Sequence, residues 1–371
     1  MRVPYSYLAQ QFDEIDSYLA DIRSLVRSGD FTLGAAVAEF EQRFADLCGL
    51  PYAIGVSSGT DALAMSLESI GVGHGDEVIT TPNTFVATVG AIVMTGARPV
   101  FVDNNEEYTI DSSRIEEAIT AKTKAILPVH LTGIPADMPA IMEIANRNGI
   151  KVVEDAAQAI LASIDGKHVG SWGETAGFSL HPLKNLNVWG DGGVIVTRSA
   201  EIAERLKLMR NHGLSDRDTV VEYGQNSRLD SLQAVVGNRL IGEANPITDA
   251  RIANAKHYDQ GLADLGEHIV IPPRKPGVKQ VYHTYVIQVA DRTGLLGYLE
   301  SNEIEAKVHY PIPLHLQEAS QYLGYTEGDF PVCERHCETI LSLPVHQHLC
   351  PDQLDWVIDR IHGFYSNKIG S

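Results

Sequence analysis

YAIGVSSGTDALAMSLESIGVGHGDEVITTPNTFVATVGAIVMTGARPVFVD, residues 52–103, carries the pattern that decides the fold. Short β-branched or apolar runs at Tyr52 to Val56, Glu77 to Thr80 and Pro99 to Val102 alternate with helical stretches at Asp61 to Ile70 and Val86 to Thr95. Repetition of that kind builds βαβ units. Working outward, strand candidates recur at Ala125 to Val129, Lys151 to Glu154, Ala176 to Leu180 and Gly193 to Thr197, and Met138 to Asn148 reads as a helix among them. These seven runs are apolar almost throughout, as strands are when helices cover both faces of a parallel sheet. The expected class is α/β.

Beyond Leu240 the pattern changes. A long helix candidate at Ile247 to Leu265 is followed by the proline-rich IPPRKPGVK, a strand at Thr284 to Val289, and helices at Leu295 to Ser301 and Asp352 to His362. The organisation expected is a large domain over 1–245, whose first 40 residues form a helix and an arm, and a smaller α+β domain over 246–371.

A chain of 371 residues with 44% apolar and 21% charged content has ample material for such cores. Forty-eight acidic against 29 basic residues leave a formal charge of −19, which repels nucleic-acid phosphates and anionic lipid. The start lacks a basic segment followed by an apolar one, and nowhere do about 18 apolar residues run together. A cytoplasmic enzyme with no nucleic-acid or membrane partner is expected. Cys48, Cys333, Cys337 and Cys350 are too few for a disulfide scaffold, so reduced thiols are expected.

Four segments carry chemistry, all at strand-to-helix junctions. SSGTDALAMSLESIG (57–71) opens a helix directly after a strand, so its free N–H groups can hold a phosphate, with Thr60 adding a hydroxyl. Alone, it is equally an ordinary serine cap. VVEDAAQA (152–159) ends a strand in two carboxylates at the edge where ligands of open parallel sheets bind. Asp155 there could pair with a cationic ring nitrogen and Gln158 could reach a phenolic oxygen; the plain alternative is a helix-capping Asp. GFSLHPLKNLNVWGDGG (177–193) presents Lys184 amid small and apolar residues, where a desolvated lysine loses proton affinity and becomes a Schiff-base nucleophile. A lone lysine is more often a solvated surface group. YGQNSRLDSLQA (223–234) adds Asn226 and Arg228 before a helix. Together these supply a phosphate seat, an acid for a pyridinium and a Schiff-base lysine, the set that pyridoxal 5′-phosphate needs.

CERHC (333–337) with His346, His348 and Cys350 superficially offers metal ligands. The cysteines sit at i and i+4 of a helical pattern, not at paired short turns, so no metal is expected.

The chain resembles the DegT/DnrJ/EryC1/StrS sugar aminotransferases of the fold-type I pyridoxal phosphate enzymes. The likeness runs through AEFEQRFADLCG, GDEVITTPNTFVATVGAIVMTGARPVFVD, KAILPVHLTGIPADM, VHYPIPLH and LSLP. It implies a large domain with a seven-stranded, mostly parallel sheet and transfer of an amino group from an amino acid, such as glutamate, to a keto sugar, nucleotide-linked. The resemblance makes Lys184 the Schiff-base lysine and proton shuttle, and Asp155 the partner of the pyridine nitrogen. It places Gln158 on the phenolic oxygen, Phe85 on the ring, and Gly59, Thr60 and Ser179 on the phosphate. It has Asn226 reach the phosphate of a neighbouring subunit, which implies a homodimer with a shared site. His309, Tyr310 and His315 are its candidates for the acceptor sugar, and His212 in RNHG receives no role. Members with histidine in place of the lysine dehydrate sugars instead, so Lys184 argues for amino transfer over the alternatives, a keto-sugar dehydratase or a non-catalytic regulatory protein. Trp189 departs from the family's small residues and is expected to reshape the pocket or pack beneath the loop.

Overall fold

In the computed structural model, which describes residues 1–369, the expected strands appear as β1 (Tyr52–Val56), β2 (Glu77–Thr80), β3 (Arg98–Phe101), β4 (Thr123–Ile126), β5 (Lys151–Asp155), β6 (Thr175–Ser179) and β7 (Gly193–Thr197). They form one seven-stranded sheet in the order β1-β7-β6-β5-β4-β2-β3. Strand β7 runs antiparallel to both neighbours and every other pair is parallel. This register sets Gly193 beside both Val56 and Ser179. The C-terminal ends of β1 and β6 therefore meet the start of β7 at one edge.

Helices cover both faces, as the apolar strands require. On one side, Gly59–Ser69 lies so close that a Cβ on Gly177 of β6 would sit 2.8 Å from Leu63 Cδ2. On the other, Ala35–Cys48 brings Phe44 edge-on to Phe178 with ring centroids 5.2 Å apart. Burying one such ring contributes about 1.5–3 kcal/mol. Sequence signals set the ends of these helices. Ser58 caps Gly59–Ser69 by accepting from Asp61 N–H at 3.1 Å, and Asp137 caps Met138–Asn148, which stops at Gly149 in the left-handed region (φ 66°).

The long helix Ala244–Gly261 is shared between two cores. Ala244 and Ile247 pack into the core of the large sheet, whereas Ala255 and Tyr258 pack into a second one. That second core covers an antiparallel sheet of Ile269–Val270, Tyr285–Val289 and Ile340–Leu343. It also takes in Val3, which bridges to Ile304, so the N-terminal arm is anchored on the C-terminal unit. Among the described residues no helix is long and apolar enough to cross a membrane.

Candidate active site

The helix Gly59–Ser69 starts where β1, β6 and β7 converge. A Cβ on Gly59 would lie 2.7 Å from Ser179 Cβ, and one on Gly193 would lie 2.2 Å from Ser58 O. Both positions exclude any side chain, and that closeness brings the free N–H groups of the helix start against the Ser179 hydroxyl. Asp61 anchors the same helix start: its carboxylate accepts from Ser57 Oγ and, at 2.6 Å, from Ser227 Oγ. The segment 223–234 is thereby tied to this corner.

Strand β5 alternates its side chains, so its last two carboxylates diverge. Glu154 enters the core, where it accepts from Gly170 N–H at 2.8 Å, Trp172 N–H at 2.8 Å and Gly173 N–H at 2.9 Å. Its fourth partner is His130 Nε2 at 3.1 Å; because His130 Nδ1 accepts from Ala136 N–H, Nε2 carries the hydrogen. Burial alone would raise the Glu154 carboxyl, but these bonds outweigh it and hold the group below the usual range. Asp155 is buried beside the pocket with fewer partners. Thr88 Oγ1 donates to it at 2.7 Å and Ala157 N–H at 3.1 Å. Burial pushes its carboxyl up, and Thr88, Ala157 and the charge of Lys184 offset this only in part.

Lys184 follows β6 on a loop braced from behind. Tyr7 Oη donates to Lys184 O at 3.0 Å and Asn187 Nδ2 donates to the same carbonyl at 2.9 Å. Burial lowers its ammonium to about 8, against the opposing pull of Asp155. A minor fraction, far larger than for a solvated lysine, is then neutral amine near neutral pH, which is the nucleophilic form.

These groups wall a cavity of about 530 Å³. Gly59, Thr60, Phe85, Asp155, Gln158, Ser179 and Lys184 all face it, as do His309 and Tyr310. Gln158 Oε1 accepts from Thr132 N–H at 2.7 Å, which turns its NH2 towards Tyr310 and the cavity. Phe85 stays half exposed at the mouth, its ring centroid 5.8 Å from that of Tyr310. His309 Nδ1 is 2.9 Å from Ser342 Oγ, and burial lowers its imidazole to about 4, so it is a neutral hydrogen-bonding group.

Three of the singled-out residues do not line the cavity. The expectation for His315 is corrected: the turn after Pro313, held by Leu314 N–H on Pro82 O at 2.8 Å, buries the imidazole 2.9 Å from Glu334 Oε1 and edge-on to Phe330. It does not line the cavity. Asn226 is exposed and also does not line this chain's own cavity. Trp189 packs beneath the loop against Phe12 and Tyr18, at 5.6 and 5.3 Å between centroids, and does not reshape the pocket. As for the CERHC segment, Cys333 and Cys337 are buried with Phe101 and Phe330, and His346 Nε2 lies 3.0 Å from Pro4 O. Sequence reasoning missed Thr84, Thr88, His181, His283 and Asp191 on the cavity wall. Thr84 and Thr88 are one helical turn apart, Oγ1 to Oγ1 2.7 Å, and pass a hydrogen bond to Asp155; the four-residue spacing in TPNTFVAT was the available signal.

The donor set fits pyridoxal phosphate. The Gly59 cradle, which any Cβ would fill, suits a phosphate, and a buried carboxylate whose burial its neighbours offset only in part suits a protonated ring nitrogen.

The DegT/DnrJ/EryC1/StrS aminotransferase family profile matches residues 13–362. A "Pleiotropic regulatory protein" of Geobacillus stearothermophilus is 40% identical over 98% of this chain and 99% of its own length. The "dTDP-3-amino-3,4,6-trideoxy-alpha-D-glucose transaminase" of Streptomyces venezuelae is 40% identical over 97% of this chain and 95% of its own. The crystal structure of S. venezuelae DesV in complex with a ketimine intermediate superposes with a TM-score of 0.95 at 39% identity, covering 98% of each chain. With sheet, site and matched length in agreement, the chain belongs to the DegT/DnrJ/EryC1/StrS aminotransferase family.

Proposed function

We propose that this protein is a pyridoxal phosphate-dependent aminotransferase that moves an amino group from an amino acid, L-glutamate in the simplest case, to a nucleotide-linked keto sugar. The observation that carries the reading is Lys184, an amine brought to about 8 by burial and facing the same cavity as Asp155 and the Gly59 cradle. Relatives named as sugar transaminases support the acceptor class. The low apolar run length and acidic charge support a cytoplasmic location.

When bound, pyridoxal phosphate supplies a protonated ring that accepts the electron pair released as a substrate carbon loses its proton. The chain's residues do the rest. Asp155 faces the ring nitrogen and stabilises its proton, and Thr88 and Ala157 N–H fix the carboxylate's direction. The helix start at Gly59 and Thr60, with the Ser179 hydroxyl, binds the phosphate. Gln158 would donate to the phenolic oxygen, and Phe85 would pack on the ring. The Lys184 Nζ amine takes the proton from one carbon and returns it to its neighbour. His309 and Tyr310 contact the acceptor sugar. Asn226 reaches the phosphate of a second copy in a homodimer, a reading supported by its exposure and its absence from the wall of this chain's own cavity.

A regulatory role on the same fold is the second reading, favoured by the name of the Geobacillus relative. One experiment separates them. The protein loaded with pyridoxal phosphate is followed by visible absorption while L-glutamate, then a panel of keto nucleotide sugars, is added. The proposal expects the yellow band to bleach with glutamate and return with one sugar, with the aminated sugar found by mass spectrometry. A band that ignores every amino donor contradicts it and favours the regulatory reading.

A further inference from the structure

Arg251 is fully buried, at 1% exposure, yet among the described residues it pairs with no carboxylate. Its Nε donates to Gln347 Oε1 at 3.2 Å, and Nη1 donates to the carbonyls of Tyr282 and His283 at 3.1 and 3.2 Å. The Tyr7 ring centroid lies 5.1 Å from Cζ. Nη2 has no partner. A buried guanidinium held only by neutral groups retains its full charge, and buried charges are ordinarily paired.

The guanidinium lines a second, small cavity of about 50 Å³, walled also by Tyr5, His283, Thr284 and His346. Four more buried atoms of these residues lack hydrogen-bond partners: Tyr5 Oη, His283 Nδ1, Thr284 Oγ1 and His346 Nδ1. Ser342 Oγ, which pairs with His309 Nδ1 at 2.9 Å, also approaches Tyr5 Oη and can accept from it. The Arg251 N–H groups can only donate, the hydroxyls of Tyr5 and Thr284 can donate or accept, and His283 can turn a donor to the cavity. His346 Nδ1 accepts, because Nε2 donates to Pro4 O at 3.0 Å; a hydroxyl of the same wall can satisfy it. One uncompensated positive charge with an unpartnered N–H and neutral groups able to donate beside it describes an anion's surroundings. The volume admits one halide or one carboxylate group and is too small for a sugar or a nucleotide.

We propose that this cavity is a seat for a small monovalent anion, chloride in solution, held by Arg251 between the N-terminal arm and the C-terminal unit. Because Leu183, His283 and His309 wall both this cavity and the large one, the carboxylate of the amino donor is a second source of the same chemistry. The seat itself does not depend on the aminotransferase reading; only that second source does.

The test is an anomalous difference map from crystals of the full-length protein in sodium bromide, with thermal unfolding in sodium chloride against sodium isethionate at equal ionic strength. Isethionate is larger than the cavity and has no carboxylate. The proposal expects a bromide peak in contact with Arg251 Nη2 and a saturable rise in Tm specific to chloride, absent in Arg251→Gln. Loss of the bromide peak on soaking with L-glutamate assigns the donor's carboxylate as the occupant, and retention assigns the free halide; both uphold the seat. Water density alone in the bromide map, with equal Tm in the two salts, overturns it. If Arg251→Gln fails to fold, the wild-type map and melts decide.

Discussion

Glu154 and Asp155 are neighbours on one strand, both carboxylates, both buried, and they do opposite work. Glu154 has four donors on its two oxygens and is held below its ordinary range. Asp155 has two donors and is pushed above it. The scaffold satisfies the first completely and leaves the second with a demand that a cation must meet. Burial and residue type do not distinguish a structural carboxylate from a functional one here; the unmet demand does.

The comparison breaks if the two can be exchanged. Asp155→Asn removes the partner of a buried positive charge, a change worth about 3–5 kcal/mol, so amino transfer should fall roughly 150- to 5000-fold with little change in Tm; steady-state kinetics beside a thermal melt check both. Glu154→Gln should do the reverse and cost about 3 kcal/mol of stability, because its NH2 would face donors. The folded pKa of Glu154 lies below its unfolded value, so its contribution is present above the ordinary carboxylate range and is lost as pH falls through the folded pKa. Urea unfolding across pH should therefore show a flatter acid limb in Glu154→Gln than in the wild type.

Gly59→Ala sharpens the site side of the comparison. Its Cβ would press on Ser179, and overpacking of about 1–3 kcal/mol corresponds to about 5- to 150-fold weaker cofactor binding, measurable by spectral titration. The smallest effect on turnover belongs to His315→Ala. It should lower Tm, because Glu334 loses a buried partner, and leave the acceptor KM at the wild-type value.

Much of this was legible beforehand because local signals and global fold agree. Seven apolar runs became seven strands, three with the expected limits and four with ends displaced by one to three residues, since strand limits depend on partners that a single chain segment does not contain. The antiparallel sense of β7 was not readable, because apolarity reports burial and not direction. At the site, Lys184, Asp155, Gln158, Gly59 and Thr60 converge as the strand-to-helix junctions implied. His283 and Asp191 carried no pattern; only the packing of distant segments brings them to the wall. His315 misled because VHYPIPLH reads as one loop, whereas the turn after Pro313 sends its last residue into a different core.

The central claim is that Lys184 is the amine that binds the cofactor covalently. Borohydride reduction of the protein loaded with pyridoxal phosphate, followed by digestion and peptide mass mapping, tests it directly. The account predicts a stable phosphopyridoxyl group on the peptide containing Lys184 and none on it after treatment of Lys184→Ala. A label on another lysine, or none in the loaded wild-type protein, would contradict it.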